Sequence, residues 1–202
     1  MKSQTVTFTA PYRLEIVERD LPPLGADEVL VQTLVSAVSP GTEMLIYRGQ
    51  FPKEMADSAD SISCNLNYPL AYGYACVGKI IATGKQVNRE LENKLVFAFQ
   101  PHTSRFVARP DSLFLVPDFL SPETAAFLPN METAVSLVQD IAPILGERGL
   151  VLGQGIVGLL AASLLAEFPL AALVTADKFP HRREESLKAG ASVALDPSDA
   201  DF

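Results

Sequence analysis

Three glycines at a fixed spacing constrain the second half of this chain more than any other feature of its sequence. The apolar residues 150–152 suit a buried strand, and the next six residues have the G-x-G-x-x-G spacing. The first glycine permits a tight turn, the second leaves room for a pyrophosphate, and the third lets a helix pack closely. We therefore predict a dinucleotide site at a helix N-terminus, formed by Gly153, Gln154, Gly155, Ile156, Val157 and Gly158.

The sequence after this motif supports a strand–helix–strand unit. Residues 159–168 are rich in Leu and Ala, and Pro169 ends the predicted helix because proline cannot continue it. Residues 171–175 then form a second apolar strand. The alternative is a membrane hairpin, but glycine turns, Glu167 and Pro169 cut the apolar sequence into pieces shorter than the roughly 20 residues that span a bilayer. We therefore expect no membrane association.

An acidic residue and nearby cations bear on the choice of cofactor. Asp177 lies 19 residues after Gly158, where a carboxylate would accept hydrogen bonds from the adenosine ribose. The same carboxylate would repel a 2′-phosphate, which favours NAD over NADP. Lys178, together with Arg182 and Arg183, would instead accommodate that phosphate, so NADP stays open.

Composition excludes several other classes of function. The net charge of -8 and the pI near 4.8 argue against nucleic acid and anionic lipid as partners, because both are polyanions. The N-terminal residues show no apolar signal core, which predicts a cytoplasmic location. Cys64 and Cys76 are the only cysteines, too few for a disulfide framework or a four-thiolate zinc site. We expect both to be plain thiols.

The first hundred residues alternate like β-strands and are broken by turn-forming residues. Val6 and Phe8 alternate with threonines, and Leu14 and Ile16 alternate with charged residues. Many short strands favour a barrel or a sandwich. We expect residues 48–67, which lack periodicity, to form a long surface loop. Further candidate strands are residues 28–36, 74–83, 95–99, 105–108 and 113–116.

The character of the sequence changes at Ser121, which is followed by a proline and a glutamate as at a helix N-terminus. We therefore divide the chain into domains over residues 1–120 and 121–202. Pro129 should interrupt the helical segment that begins there. The remaining predicted elements are helices over 131–141 and 182–189 and a strand over 191–195.

Four stretches of the sequence carry a resemblance to a known superfamily. They are residues 36–43 (SAVSPGTE), 68–78 (YPLAYGYACVG), 106–117 and the glycine motif. They resemble the medium-chain dehydrogenases/reductases, which include zinc-type alcohol dehydrogenases and zinc-free quinone reductases. Within that superfamily the pattern is most similar to bacteriochlorophyllide dehydrogenase-like proteins. The resemblance implies a mixed α/β fold, with a GroES-like β-barrel followed by the first half of a Rossmann-type nucleotide-binding domain.

The resemblance also locates where this chain departs from the zinc-dependent members. Pro40 stands where those enzymes have a metal-binding Cys, Tyr74 where they have His, and Ala75 where they have Glu. Proline, tyrosine and alanine lack the thiolate or imidazole that zinc prefers. The four cysteines of the structural zinc lobe are also missing around residues 95–110. We therefore predict that the chain binds no zinc.

Without zinc, hydrogen-bond donors must stabilise the charge that develops on a substrate oxygen. The resemblance gives Thr42 the role of proton relay, although a threonine there would otherwise only cap a turn. Tyr74 occupies a former ligand position, and its phenol would donate to a carbonyl oxygen or merely fill the space. His102 lies in a polar loop, where it would shuttle protons or stay a solvated surface residue.

The nucleotide-binding half is short for its type. Only three strands of an expected six fit before the sequence ends, so we expect a fragment or truncated product. In full-length form we predict an NAD(P)-dependent oxidoreductase that transfers hydride to or from a carbonyl, alcohol or activated alkene without zinc. The alternatives are a non-catalytic nucleotide-binding protein and a zinc dehydrogenase with unusual ligands. A small-molecule substrate is expected, and a homo-oligomer stays open.

Overall fold

The computed structural model describes residues 1–51 and 67–199, and the chain divides into two compact units, Met1–Phe127 and Leu128–Phe202. Antiparallel strands dominate the first unit, whereas parallel strands alternate with helices in the second. The mixed α/β class predicted from the sequence is confirmed. None of the helices in the described ranges has the length and hydropathy needed to cross a bilayer.

The first unit contains two antiparallel sheets. One has the strand order β2-β1-β4 and the other β7-β3-β5-β6-β8. Each strand predicted beyond β2 is present, with ends that differ by up to two residues. Most of the predicted loop 48–67, including Cys64, lies outside the described residues. The elements are β1 (Lys2–Ala10), β2 (Arg13–Asp20), β3 (Val29–Ser36), α1 (Thr42–Arg48), β4 (Leu70–Ala71), β5 (Cys76–Thr83), β6 (Leu95–Ala98), β7 (Arg105–Ala108), β8 (Phe114–Leu115) and α2 (Pro122–Ala125).

The core of the five-stranded sheet consists of β-branched and aromatic side chains from its central strands. Val29, Val31 and Ile80 are fully buried, and Phe106 packs against the same cluster. Such residues fit a pleated, half-buried surface. Cys76 is fully buried in this cluster, as expected for a plain thiol that packs like a small apolar residue. This sheet forms the rigid support for the loops described below.

The inward face of β1 is hydroxylic. Ser3, Thr5 and Thr7 are buried, so the alternation predicted for this strand is present, but threonines share the interior with Phe8. The Ser3 hydroxyl lies 2.7 Å from the Thr103 hydroxyl, 100 residues away, and also donates to a backbone carbonyl. Thr5 forms a β-bridge with the same Thr103. These contacts join the first strand to the segment that precedes β7.

The second unit is a three-stranded parallel sheet with helices. Its strand order is β11-β10-β9, and Ala176 of the central strand pairs with Leu152 and Leu195. The carboxyl ends of all three strands therefore meet at one edge. Helices α3 and α4 pack together through a cluster that includes Val138 and Ala162. The elements are α3 (Leu128–Ile141), β9 (Arg148–Leu152), α4 (Ile156–Ala166), β10 (Ala172–Ala176), α5 (Pro180–Lys188) and β11 (Val193–Leu195).

Helix boundaries follow the capping signals, with one difference. The Ser121 hydroxyl accepts the N–H of Thr124, which confirms the predicted N-cap. Pro129 lies within the first turn of α3 and does not interrupt it, because a first-turn residue needs no N–H. The break falls just before α3. Helix α2 packs on β3 and β5, so it belongs to the first unit, whereas the sequence-based division lies at 120/121.

Candidate functional site

The glycine motif forms the turn between β9 and α4. Gly153 has φ +83, a left-handed conformation that glycine adopts without strain. A Cβ on Gly158 would lie 1.9 Å from the carbonyl oxygen of Gly153, so only glycine allows the helix to start this close to the turn. Gly155 is the N-cap of α4, and a Cβ there would meet nothing within 4 Å. The space beside Gly155 is therefore open to a ligand.

Some backbone N–H groups at this turn donate to acceptors within the protein, and others have no acceptor within the helix that they begin. The Gly153 N–H donates to Ala176, and the Gln154 N–H donates to the carboxylate of Asp177 at 2.7 Å. The Gln154 side chain is fully buried and donates to Val151, so it supports the turn from within. The N–H groups of Ile156, Val157 and Gly158, in the first turn of α4, have no acceptor inside the helix. These donors suit an anion.

Asp177 ends β10 and is held by the backbone on both sides. Its Oδ2 accepts the Gln154 N–H, its Oδ1 accepts the Phe179 N–H at 2.8 Å, and Arg182 lies 3.6 Å from Oδ2. Burial by itself raises the pKa of Asp177, but the two N–H donors and Arg182 outweigh it and lower the pKa below its usual value. The neighbouring Lys178 is exposed.

A buried histidine–glutamate pair lies in the first unit. His102 Nε2 is 2.6 Å from Glu43 Oε2, and the two residues are only 8% and 2% exposed. The other Glu43 oxygen accepts the Ser39 N–H at 2.9 Å. His102 Nδ1 forms a hydrogen bond with the Ser36 hydroxyl. The surface-exposed alternative for His102 is wrong, because the loop that carries it folds into the interior.

The segment around Gly73 encloses the imidazole from the other side. The backbone N–H of His102 donates to the Tyr72 carbonyl, and a Cβ on Gly73 would lie 3.0 Å from the imidazole ring. Tyr74 contacts Tyr72 edge to face, with 6.3 Å between ring centroids. Burial, together with the neighbouring Tyr74 phenol and Glu43 carboxylate, raises the pKa of Tyr72 to about 12. Tyr72 therefore stays a neutral phenol at physiological pH.

The three candidate catalytic residues from the sequence lie on segments that meet at this imidazole. Thr42 precedes Glu43 at the start of α1 and is half-buried, and Tyr74 follows the glycine that touches the ring. Among the hydrogen bonds of the described residues, none joins His102 to the side chain of Thr42 or Tyr74. The structure thus brings the segments together and pairs His102 with Glu43 and Ser36.

A cavity of about 500 Å³ opens beside the His102–Glu43 pair. Strand β1, strand β2 and helix α1 contribute most of its wall, which is predominantly apolar. Ser36, Glu43 and His102 lie together on that wall and supply polar atoms. An apolar pocket with a few convergent polar groups is the usual form of a small-molecule site. The other lining residues are Val6, Phe8, Leu14, Val38, Met44 and Tyr47.

Sequence reasoning missed Ser36 and Glu43 as members of this cluster. Glu43 lies 59 positions from His102 and Ser36 lies 66, so no local spacing relates them. One signal was available for Glu43, an acidic residue at the start of a short helix that is otherwise mostly apolar at its centre. A buried carboxylate requires a partner, and the chain contains only two histidines.

Comparison with known proteins adds to this geometry. No family model matches the sequence. L-galactonate-5-dehydrogenase of Escherichia coli (strain K12) is 26% identical over 222 residues, which cover 95% of this chain and 61% of that protein. L-threonine 3-dehydrogenase of Thermococcus kodakarensis is 25% identical and is matched over 99% of this chain and 63% of its own length.

Solved structures show the same fold. An alcohol dehydrogenase from Escherichia coli CFT073, crystallised with NADH, superposes with a TM-score of 0.79 at 20% identity, over 98% of this chain and 64% of that one. The quinone oxidoreductase of Coxiella burnetii gives 0.76 at 20% identity, over 96% and 62%. The chain is similar in sequence to these two dehydrogenases and similar in fold to the alcohol dehydrogenase and the quinone oxidoreductase. It spans less than two thirds of the length of these relatives.

As in the solved structures named above, a GroES-like β-rich unit precedes the Rossmann-type strands. The residues at the zinc positions of this fold do not suit the metal here. Pro40 has no donor side chain, and Tyr74 offers a phenol in place of an imidazole. Across residues 1–51 and 67–199, no group of three His, Cys, Asp or Glu side chains is placed to hold a metal ion. The prediction that the chain binds no zinc stays a prediction.

Proposed function

We propose that this chain binds NAD(P)H through the turn between β9 and α4 and serves hydride transfer to or from a carbonyl, alcohol or activated alkene. The open space at Gly155, beside uncommitted N–H groups of α4, is the observation that carries the proposal. A pyrophosphate needs close backbone approach and N–H donors, and this turn offers both. The relatives named above, dehydrogenases and a quinone oxidoreductase, support the same chemistry.

NAD is the cofactor that we favour. The lowered pKa of Asp177 keeps its carboxylate ionised at neutral pH, where it repels a 2′-phosphate. Its Oδ1 accepts one backbone N–H and keeps a further lone pair for a ribose hydroxyl, whereas Oδ2 faces both the Gln154 N–H and Arg182. Arg183 is paired with Asp196 at 2.8 Å and Arg182 with Asp177 at 3.6 Å, so the exposed Lys178 is the neighbouring cation that would meet a 2′-phosphate.

When bound, the nicotinamide supplies or accepts the hydride. The residues of the chain then have to handle the oxygen of the substrate without a Lewis acid, because the donor set at the zinc positions does not suit that metal. We assign this work to Thr42, Tyr74 and His102. The Thr42 hydroxyl and the Tyr74 phenol can donate hydrogen bonds to a developing alkoxide, and the imidazole, whose nitrogens face Glu43 and Ser36, can act through the Ser36 hydroxyl. Zinc analysis of protein purified without added metal should give well under one equivalent.

Binding of NADH to the chain tests the proposal directly. Gly155→Val should weaken binding, measured by NADH fluorescence, because its side chain fills the space left for the pyrophosphate. The control is Ala142→Gly, which relieves a positive φ at a position away from the turn and should leave NADH binding unchanged. NADPH should compete more weakly than NADH. Equal NADH affinity of Gly155→Val and wild type would contradict the assigned site.

A second experiment separates an enzyme from a binding protein. In full-length form the protein should oxidise NADH in the presence of aldehydes, ketones or quinones, which is followed by the loss of NADH absorbance. NADH binding without turnover of any of these substrates would favour the non-catalytic alternative for this chain.

A further inference from the structure

Ser36, His102 and Glu43 form a continuous chain of hydrogen bonds. The Ser36 hydroxyl bonds to Nδ1 of His102, and Nε2 of the same ring bonds to Glu43 Oε2 at 2.6 Å. His102 and Glu43 are buried, whereas Ser36 is partly exposed. A hydroxyl, an imidazole and a carboxylate in this order are the components of a proton relay.

The geometry accommodates both protonation states of the ring without rotation. When His102 is neutral, Nε2–H donates to Glu43 and Nδ1 accepts the Ser36 O–H. When it is an imidazolium, Nδ1–H donates to the Ser36 oxygen, and the Ser36 proton can turn to the cavity or to the neighbouring Cys76 sulfur. The bond to Glu43 is the same in both states. The imidazolium carries one more proton than the neutral ring, on Nδ1, and the Ser36 O–H reorients.

Glu43 is a fixed acceptor in this arrangement. One of its oxygens accepts the Ser39 N–H at 2.9 Å and the other faces His102. The carboxylate therefore stabilises the charged ring and does not need to take up a proton itself. The ring packs close to Gly73, where a Cβ would lie 3.0 Å from it.

The cavity of about 500 Å³ is the place where the relay would meet a ligand. Apolar side chains such as Phe8, Val38 and Met44 form much of its wall, and Ser36, Glu43 and His102 all line it. The Tyr47 hydroxyl, which also belongs to a lining residue, is engaged with the carbonyl of Tyr12 at 3.2 Å. A ligand oxygen in this cavity would thus find its polar partners at the Ser36 end.

We propose that the cavity binds an apolar molecule with one carbonyl or hydroxyl oxygen, and that Ser36–His102–Glu43 exchanges a proton with that oxygen. The inference names the substrate class for the oxidoreductase proposed above and rests on that function. In the reduction direction, NAD(P)H, when bound, would supply the hydride to the carbonyl carbon and become NAD(P)+. The carbonyl oxygen takes the Ser36 proton, Ser36 takes the Nδ1 proton of His102, and water later reprotonates the ring.

The competing interpretation is that the His102–Glu43 pair only fixes α1 against the strands. A structural pair predicts that Ser36 is dispensable and that ligands with and without an oxygen behave alike. A relay predicts that Ser36 recognises the oxygen. Binding of benzyl alcohol and toluene, which share a ring and differ by one hydroxyl-bearing carbon, separates the two interpretations without any cofactor.

Saturation-transfer NMR with these two probes is the first test. Wild type should bind benzyl alcohol more tightly than toluene. Ser36→Ala should weaken the binding of benzyl alcohol by about fivefold, because one hydrogen bond is lost, and should leave the binding of toluene unchanged. Ser112→Ala, in the same unit but away from the cavity, should change neither. No binding of either probe, or equal binding of benzyl alcohol to wild type and Ser36→Ala, would overturn the proposal.

The ring nitrogens provide a second test, of the hydrogen-bond directions on which the relay depends. The chain has two histidines, so His181→Gln leaves His102 as the sole imidazole in nitrogen-15 spectra. The neutral ring should carry its proton on Nε2, and Ser36→Ala should shift the Nδ1 resonance. A neutral ring protonated on Nδ1 would overturn the relay. NADH affinity, measured on the same variants, should stay at the wild-type value. If wild type did not bind NADH at all, that result would contradict the proposed cofactor site and not the relay.

Discussion

The Asp177 carboxylate lies 2.7 Å from the backbone nitrogen of Gln154, so the end of β10 is tied to the glycine turn after β9. The bond spans 23 positions of the sequence and is buried. A charged acceptor of this kind fixes the loop conformation, because a buried N–H without a partner costs about 1–3 kcal/mol. The candidate cofactor site is therefore coupled to the ionisation of one carboxylate.

This coupling predicts a pH dependence of stability. The folded-state pKa of Asp177 is below its unfolded value, so its stabilisation is present above the unfolded pKa and is lost as the pH falls through the folded pKa. We expect Asp177→Asn to lower the free energy of unfolding at neutral pH and to flatten its decline below about pH 4. Urea denaturation across this range measures both. Asp140→Asn, at an exposed position of α3, should keep the wild-type slope.

Two glycines of the same turn should respond differently to alanine. Gly158→Ala places Cβ against the Gly153 carbonyl and should destabilise the fold by at least about 1–3 kcal/mol. Gly155→Ala meets no atom within 4 Å and should cost less than about 1 kcal/mol, while weakening NADH binding. Thermal melts and NADH fluorescence on both variants test this. If Gly158→Ala and Gly155→Ala were equally stable, the close contact between Gly158 and the Gly153 carbonyl would be contradicted.

Alanine at Gly73 should disturb the His102 site. Gly73 has φ +133, which L-residues rarely adopt, and the added Cβ would lie 3.0 Å from the imidazole. We expect a loss of about 1–3 kcal/mol in unfolding free energy and a changed His102 ring resonance. The matched control is Gly41→Ala, where a Cβ has open space. An unchanged ring resonance in Gly73→Ala would show that this segment does not confine the imidazole.

The Cys76 thiol should be unreactive in the folded chain. Its side chain is fully buried, and burial raises the pKa of the thiol despite hydrogen bonds from Thr33 and Ser36. Because the thiolate is the reactive form, labelling with a chromogenic disulfide should be much slower than in urea. The Cys64→Ser variant isolates Cys76 for this measurement. Equal rates in buffer and in urea would contradict the burial.

Local signals predicted much of the fold. The glycine motif located the β9–α4 turn, Ser121 located the start of α2, and the β-branched runs located β3 and β5. In each case, the information lies within a few adjacent residues, where capping, turn conformation and side-chain periodicity decide the structure.

The His102 cluster could not be predicted in this way. His102 meets Glu43 and Ser36 only after three segments of the first unit have folded, and a polar sequence around residue 102 gives no hint of burial. The same holds for the inward hydroxyl face of β1. Ser3 and Thr5 have hydroxyl partners about 100 positions away, so the usual rule that the apolar face is the inner one is only partly followed.

The contact between β1 and the segment before β7 has a consequence for synthesis. At roughly 5–20 residues per second, a ribosome needs on the order of 5–20 seconds to produce the partners of Ser3 and Thr5. During that interval β1 can pair with β2, but its hydroxyls remain hydrated and the imidazole of His102 has not yet been made. Strand β1 leaves the exit tunnel well before its partners and is thus among the last strands of the first unit to be completed, and nascent chains stalled before residue 102 will lack both this closure and the histidine site.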